Sequence, residues 1–123
     1  MKTQWAQRTL QVGIALEFLG HGLLALDQHA PWVPFITLFG FSEASVLWIM
    51  PVVGALDILL AGLVLVYPAR GILVWMTFWG FFTALLRPLS GGSIIQFIER
   101  GVNWGAPAAL LFLRGRARAR NNT

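Results

Sequence analysis

The chain has 123 residues, of which 57% are hydrophobic and 11% are charged, and its mean hydropathy is +0.69. Soluble domains carry about 25% charged residues, and a domain of this length could not bury so many apolar side chains in water, so the composition predicts one membrane domain with the lipid bilayer as its partner. The absence of cysteine excludes disulfides, thiolate catalysis and iron–sulfur ligation. Nucleic acid is not a predicted partner, because four of the nine basic residues lie in the last ten positions and orientation in a membrane explains them.

Four apolar stretches predict four membrane-spanning helices, since roughly 20 helical residues cross a typical bilayer. The stretches cover residues 10–26, 46–67, 71–87 and 94–113. They predict an all-α integral membrane four-helix bundle over residues 1–113, followed by a basic cytoplasmic tail over residues 114–123. A cleavable leader is the competing interpretation of the first stretch, but Glu17 interrupts the apolar run and no small-residue cleavage site follows.

The connections between the stretches predict the topology. Residues 67–71 form a tight turn with Pro and Gly, which predicts an antiparallel hairpin of the second and third helices. Residues 32–41 (the aromatic segment) are too short to span the bilayer and are rich in rings, so we expect them in the outer interface or folded over the bundle. Ser42 or Glu43 is the predicted N-cap of the second helix, and Ser93 is the predicted N-cap of the fourth. Small residues expected at close helix contacts are Gly13, Gly20, Gly54, Ala55, Ala61, Gly101 and Gly105.

Basic residues near the helix ends predict the orientation, because cytoplasmic loops carry an excess of Lys and Arg. Seven of them fall on one side of a four-span arrangement, and these are Lys2, Arg8, Arg70, Arg114, Arg116, Arg118 and Arg120. The other side receives Asp27, Glu43 and Arg87. Both termini are therefore predicted to be cytoplasmic.

Polar residues within the predicted spans are the candidates for function, because an ionisable group at bilayer depth costs about 2.5–3.5 kcal/mol or more unless it is paired or hydrated. They are Glu17, His21, Asp57, Glu99, Arg100 and Asn103. All fall in the outer half of the predicted bundle, and Arg87 enters the same zone from the third helix. Glu17 and His21 are four residues apart and therefore share a helical face.

This distribution predicts an outward-facing polar pocket. The predicted ligand-binding residues are Glu17, His21, Asp57, Arg87, Glu99, Arg100, Asn103 and Trp104. A structural alternative is that charged pairs join the helices, or that Glu17 and His21 form a local hydrogen bond. The acids and the histidine have metal-ligand chemistry but no diagnostic spacing, so no metal site is predicted. On the third helix Trp75, Trp79 and Phe82 form a ring face for a flat ligand, with lipid contact as the alternative.

Three segments also carry a family resemblance. Residues 16–22 read Leu-Glu-Phe-Leu-Gly-His-Gly, residues 53–63 place Asp57 between glycines in an apolar helix, and residues 99–107 read Glu-Arg-Gly-Val-Asn-Trp-Gly-Ala-Pro. In these segments the chain resembles the DoxX-like group of small bacterial four-helix membrane proteins. The resemblance implies a multi-pass protein of the bacterial inner membrane that is associated with quinone-linked oxidation.

Together these observations predict a pocket for a small amphipathic or quinone-like ligand, in an accessory subunit of a membrane redox complex. One alternative is a membrane isomerase or hydrolase acting on a lipid-soluble substrate, with His21 and one carboxylate as acid and base. Another is a non-catalytic assembly or scaffold subunit that contacts other membrane subunits. A proton or ion pathway is disfavoured, because the inner halves of the predicted helices carry no ionisable groups.

Overall fold

Four helices of 20 or more residues make up most of the computed structural model, which describes residues 2–122. They are α1 (Lys2–Leu26), α3 (Glu43–Val66), α4 (Arg70–Leu89) and α6 (Gly101–Asn121). Short elements connect them, namely a 3-10 turn (Ala30–Trp32), α2 (Val33–Thr37) and α5 (Ile94–Ile98). Residues 2–122 contain no strand, so the all-α prediction is confirmed.

Three of the long helices, α1, α3 and α4, are long and apolar enough to cross a membrane. Large apolar side chains on α3 remain exposed, including Leu47, Val52, Leu59 and Val66, each more than half exposed. Such a surface fits a lipid environment. The helix α6 carries four arginines in its C-terminal half and is not among the three. The count of four spans and the cytoplasmic termini therefore stay predictions.

The long helices pack as two antiparallel pairs, α1 with α3 and α4 with α6, and α1 also contacts α6. Direct contact between α3 and α4 is sparse. The Gln11 side chain donates a hydrogen bond to the Val64 carbonyl at 3.0 Å, which ties the start of α1 to the end of α3. The apolar core lies toward this same end of the helices, around Ile14, Leu73 and Leu110.

Two glycine contacts set how closely the helices approach. A Cβ added at Gly54 would lie 2.7 Å from the carbonyl oxygen of Gly22, and a Cβ at Gly80 would overlap the carbonyl of Asn103. The prediction of a close helix contact is wrong for four glycines, because a Cβ at each of these positions would meet nothing within 4 Å. These are Gly13, Gly20, Gly101 and Gly105. Gly54, which was predicted correctly, faces a partner helix, whereas these four glycines face open space.

The predicted caps are confirmed, and the last predicted helix is divided. The Ser42 hydroxyl accepts a hydrogen bond from the Ser45 N–H, and the Ser93 hydroxyl accepts one from the Ile95 N–H. The stretch 94–113 was expected as one helix, but α5 ends at Ile98 and α6 begins at Gly101.

Arg100 lies at this division, and its guanidinium donates to the Gln96 carbonyl at 3.0 Å and pairs with Glu99. It thereby satisfies a carbonyl at the end of α5. The expected tail is helical as well, since α6 continues to Asn121. Arginine and alanine are good helix formers, and they dominate this stretch.

Helix α1 ends on a specific contact with α3. Pro51 lies inside α3 and has no N–H for the Leu47 carbonyl. The Gln28 side chain donates to that carbonyl at 3.3 Å. Gln28 itself has a φ of 56°, in the left-handed region, and the His29 N–H bonds back to the Leu24 carbonyl. The end of α1 is therefore joined to the point where Pro51 interrupts the α3 hydrogen bonds.

Candidate functional site

A cavity of about 210 Å³ lies between the helices, near the C-terminal end of α1, and the aromatic segment forms part of its wall. We call it the aromatic cavity. Six of the eight predicted ligand-binding residues line it, and these are Glu17, His21, Asp57, Arg87, Arg100 and Asn103. They come from α1, α3, α4 and the start of α6. The structure thus brings together polar residues that are far apart in the sequence.

Asp57 is the most deeply buried of these groups. Its residue is only 4% exposed, and its Oδ1 atom has no hydrogen-bond partner. It lies fourteen residues beyond the start of α3, about 21 Å along the helix at 1.5 Å per residue. The Glu17 carboxyl is close enough to interact with it electrostatically, and Trp79 is another neighbour. An unpartnered carboxyl here is an acceptor for a ligand.

Basic groups gather toward the opposite side of the cavity, near the end of α4. The guanidinium carbon of Arg87 lies 5.0 Å from the centre of the Phe35 ring, and its Nε atom is buried without a hydrogen-bond partner. Arg87 and Arg100 both act electrostatically on His21. The cavity therefore has acceptors on its α1 and α3 walls and N–H donors near the end of α4.

Aromatic rings close the cavity between these groups. Phe39 of the aromatic segment stacks on Phe82 of α4 with the ring centres 5.9 Å apart. Trp32 meets His21 edge to face at 5.7 Å. The aromatic segment thus folds over the helices and contributes to the cavity wall.

The predicted ring face of α4 divides between two environments. Trp79 and Phe82 line the cavity. Trp75 stacks on Trp79 with the ring centres 5.6 Å apart, but it is 38% exposed and does not reach the cavity. The last two members of the predicted row therefore line the cavity, whereas Trp75 has the exposure expected of a lipid contact.

Two predicted site residues lie away from the cavity. Glu99 is exposed and forms its ion pair with its neighbour Arg100, because the chain turns between α5 and α6 at this point. Trp104 packs edge to face against Phe81 at 5.7 Å and is not part of the cavity wall. Successive helical residues are rotated by about 100°, so Trp104 faces another direction than Asn103.

The apolar part of the α3 wall was not anticipated. Ile49, Met50 and Val53 line the cavity. They precede Asp57 by eight, seven and four residues, which places them on its helical face. The spacing was therefore a usable signal. On α4, Thr83 also lines the cavity, but its hydroxyl donates to the Trp79 carbonyl at 2.9 Å.

In the described part of the chain, no ion pair joins the polar groups of the cavity from one helix to another. Within residues 2–122, the ion pair that the structure shows joins the neighbours Glu99 and Arg100. No hydrogen bond joins Glu17 to His21 in the same range. The described part of the chain also contains no group of three or more potential metal-binding side chains. What these groups offer chemically is hydrogen bonding to a ligand.

Comparison of the chain with models of known protein families, with curated proteins and with solved structures gives no match. The resemblance to the DoxX-like group therefore stays a prediction. The functional argument depends on the geometry of the aromatic cavity.

Proposed function

We propose that the chain is a four-span membrane protein of the DoxX-like kind, whose aromatic cavity binds a small amphipathic ligand with a flat, oxygen-substituted ring, such as a quinone. The observation that carries the proposal is the carboxyl of Asp57, which is buried in the cavity wall with Oδ1 unpartnered. A buried acceptor without a partner costs about 1–3 kcal/mol, and a ligand that donates a hydrogen bond offsets this cost.

The size of the cavity supports a single ring as the bound group. An apolar cavity of about 150 Å³ is large enough to hold benzene. A cavity of about 210 Å³ therefore has room for a ring with a few substituents. The rings of Phe39 and Phe82 provide the stacking surface, and a longer apolar tail would leave the cavity toward the lipid.

The polar groups support oxygen substituents on that ring. The Nε–H of Arg87 and the guanidinium of Arg100 are donors, which suit a carbonyl oxygen. Asp57 and Glu17 are acceptors, which suit a hydroxyl group. A quinone and its reduced form carry these two kinds of oxygen. Because the chain has no cysteine, it has no thiol that exchanges electrons with the ring, so we assign it an accessory role beside a redox partner.

The charge distribution supports the orientation. The arginines of α6 and Arg70 lie at the end of the helices opposite to Asp27 and Glu43. By the positive-inside rule this distribution supports cytoplasmic termini and an aromatic cavity in the outer half of the membrane. The membrane of this proposal is the bacterial inner membrane.

The test compares Asp57→Asn with Asp27→Asn in purified protein. Asp27 is exposed and does not line the cavity, so it is a matched control for the same chemical change. The hydroquinone of a short-tailed benzoquinone, which has the O–H donors that Asp57 requires, displaces that quinone from detergent-solubilised protein, and its binding is followed by the loss of tryptophan quenching. Asp57→Asn should weaken binding about 10- to 100-fold, because a charge-assisted hydrogen bond contributes about 1.5–3 kcal/mol. Asp27→Asn should bind as the wild type does.

A further variant tests whether the tryptophan quenching arises in the aromatic cavity. Trp32 and Trp79 both line the cavity, so Trp32→Phe/Trp79→Phe should remove most of the quenching. The proposal fails if the wild type shows no saturable quenching. It also fails if Asp57→Asn and Asp27→Asn bind the hydroquinone equally well.

A further inference from the structure

A second cavity, of about 550 Å³, lies at the opposite end of the helices, between the start of α4 and the C-terminal half of α6. We call it the arginine cavity. Four arginines line it, and these are Arg70, Arg114, Arg116 and Arg118. Arg114 and Arg118 are four residues apart and share a face of α6. The arginines of α4 and α6 thus bring positive charges together in the arginine cavity.

The two helices that form this cavity carry no acidic side chain. The sequence contains no Asp or Glu at positions 58–98 or 100–123, and these stretches include both helices that form the cavity. In the part of the chain that the structure describes, none of the four arginines forms an ion pair. Like charges that converge repel one another, so an anion bound here would relieve the repulsion.

The start of α4 adds further donors at this place. Its N-cap residue, Ala69, offers no side-chain hydrogen bond to the first turn. Arg70 and Leu73 of that turn line the arginine cavity. The uncapped N–H groups at the start of a helix, together with its dipole, favour a bound anion such as phosphate.

The rest of the wall is apolar, which decides between a free anion and a lipid. Leu73 and Leu111 line the cavity, and so does Phe112, which is 70% exposed on α6. An inorganic anion makes no use of such a surface. An occupant with a negative head and an apolar chain satisfies both the arginines and this wall.

We infer that the arginine cavity binds the phosphate headgroup of an anionic phospholipid, with an acyl chain lying against Phe112. Guanidinium groups pair with phosphate oxygens in a bidentate geometry. Basic pockets between helices on the cytoplasmic side are suited to such headgroups. The inference uses the membrane location of the chain but not the ligand of the aromatic cavity, so the two can fail separately.

Two kinds of variant test the site. Gly115 lines the cavity, and a Cβ there would meet nothing within 4 Å, so Gly115→Leu fills the cavity and keeps every arginine. The double variant Arg114→Gln/Arg118→Gln removes two charges from the cavity. Its matched control is Lys2→Gln/Arg8→Gln. This variant removes two charges from exposed positions near the start of α1, outside the cavity. Helix content and monodispersity in detergent check the fold of each protein.

Binding is measured by native mass spectrometry with phosphatidylglycerol and phosphatidylcholine. The wild type should prefer phosphatidylglycerol, and both cavity variants should lose about 10- to 100-fold in affinity for it. The control should change less than threefold.

Three results would overturn the inference. The first is equal binding of the two lipids by the wild type. The second is a loss in Lys2→Gln/Arg8→Gln as large as in the cavity variants, which would indicate unspecific attraction. The third is competition by glycerol phosphate as strong as by the whole lipid, which would assign the cavity to a free phosphate compound.

Discussion

Replacing Asp57 by leucine should stabilise the ligand-free protein while it weakens ligand binding. The residue is 4% exposed and Oδ1 has no partner, so the folded state carries the full cost of burying this atom. Leucine is branched at the same carbon as aspartate and needs no hydrogen bond, and Met50 and Val53 on the same wall give it apolar neighbours. Removing an unsatisfied buried group is worth about 1–3 kcal/mol, so the free energy of unfolding should rise by that amount.

The assay is reversible unfolding in mixed micelles, followed by circular dichroism as the fraction of denaturing detergent increases. Asp27→Leu serves as the control, because an exposed substitution usually changes stability by less than about 0.5 kcal/mol. A drop in stability of 1 kcal/mol or more in Asp57→Leu would show that the carboxyl holds the fold together. The argument for a ligand at Asp57 would then be refuted.

Two further predictions concern packing and orientation. Gly80→Ala should lower the free energy of unfolding by about 1–3 kcal/mol, because its Cβ would overlap the carbonyl of Asn103, whereas Gly13→Ala should leave stability unchanged or raise it. Equal effects in the same unfolding assay would mean that α4 and α6 do not close on this glycine. The chain has no cysteine, so Ala44→Cys and Asn121→Cys each create a single thiol. A membrane-impermeant maleimide should label Ala44→Cys in intact cells and Asn121→Cys only after permeabilisation, and the reverse order would invert the orientation.

The helices were predictable where one physical property decides them. A long apolar stretch is enough to predict a helix that can span, and three such helices are present. Ser42 and Ser93 were predictable as caps because a short hydroxyl side chain satisfies the first N–H groups of a helix. The end of α5 was not predictable in this way. Arg100 donates to the Gln96 carbonyl there, and hydropathy does not register such a side-chain contact.

The candidate site was predictable in its polar part and less so in its walls. Charged residues in apolar helices turn away from lipid, so Glu17 and Asp57 could be placed in one cavity before their helices were seen to pack. The rotation of a helix that is apolar on every side is not set by its sequence alone. For this reason Trp104 was assigned to the wrong face, and the close contacts at Gly22 and Gly80 were missed.

The aromatic segment is attached to one helix pair only. Gln28 before it and Ser42 after it are hydrogen-bonded to α3 residues. Within residues 2–122, the backbone hydrogen bonds of the segment stay inside it or reach His29 and Ala30, and none crosses to α4. Its contacts with α4 are side-chain contacts, such as those made by Phe39 and Phe35.

This attachment makes the segment a hinged flap. A ring pair contributes about 0.5–1.5 kcal/mol and a desolvated cation–π contact about 2 kcal/mol, so separating both costs about 2.5–3.5 kcal/mol. At that cost the flap is raised in on the order of one molecule in a hundred to one in several hundred. A ligand then enters the cavity without any helix unwinding. Its residence time is set by its affinity for the cavity wall and by how often the flap opens.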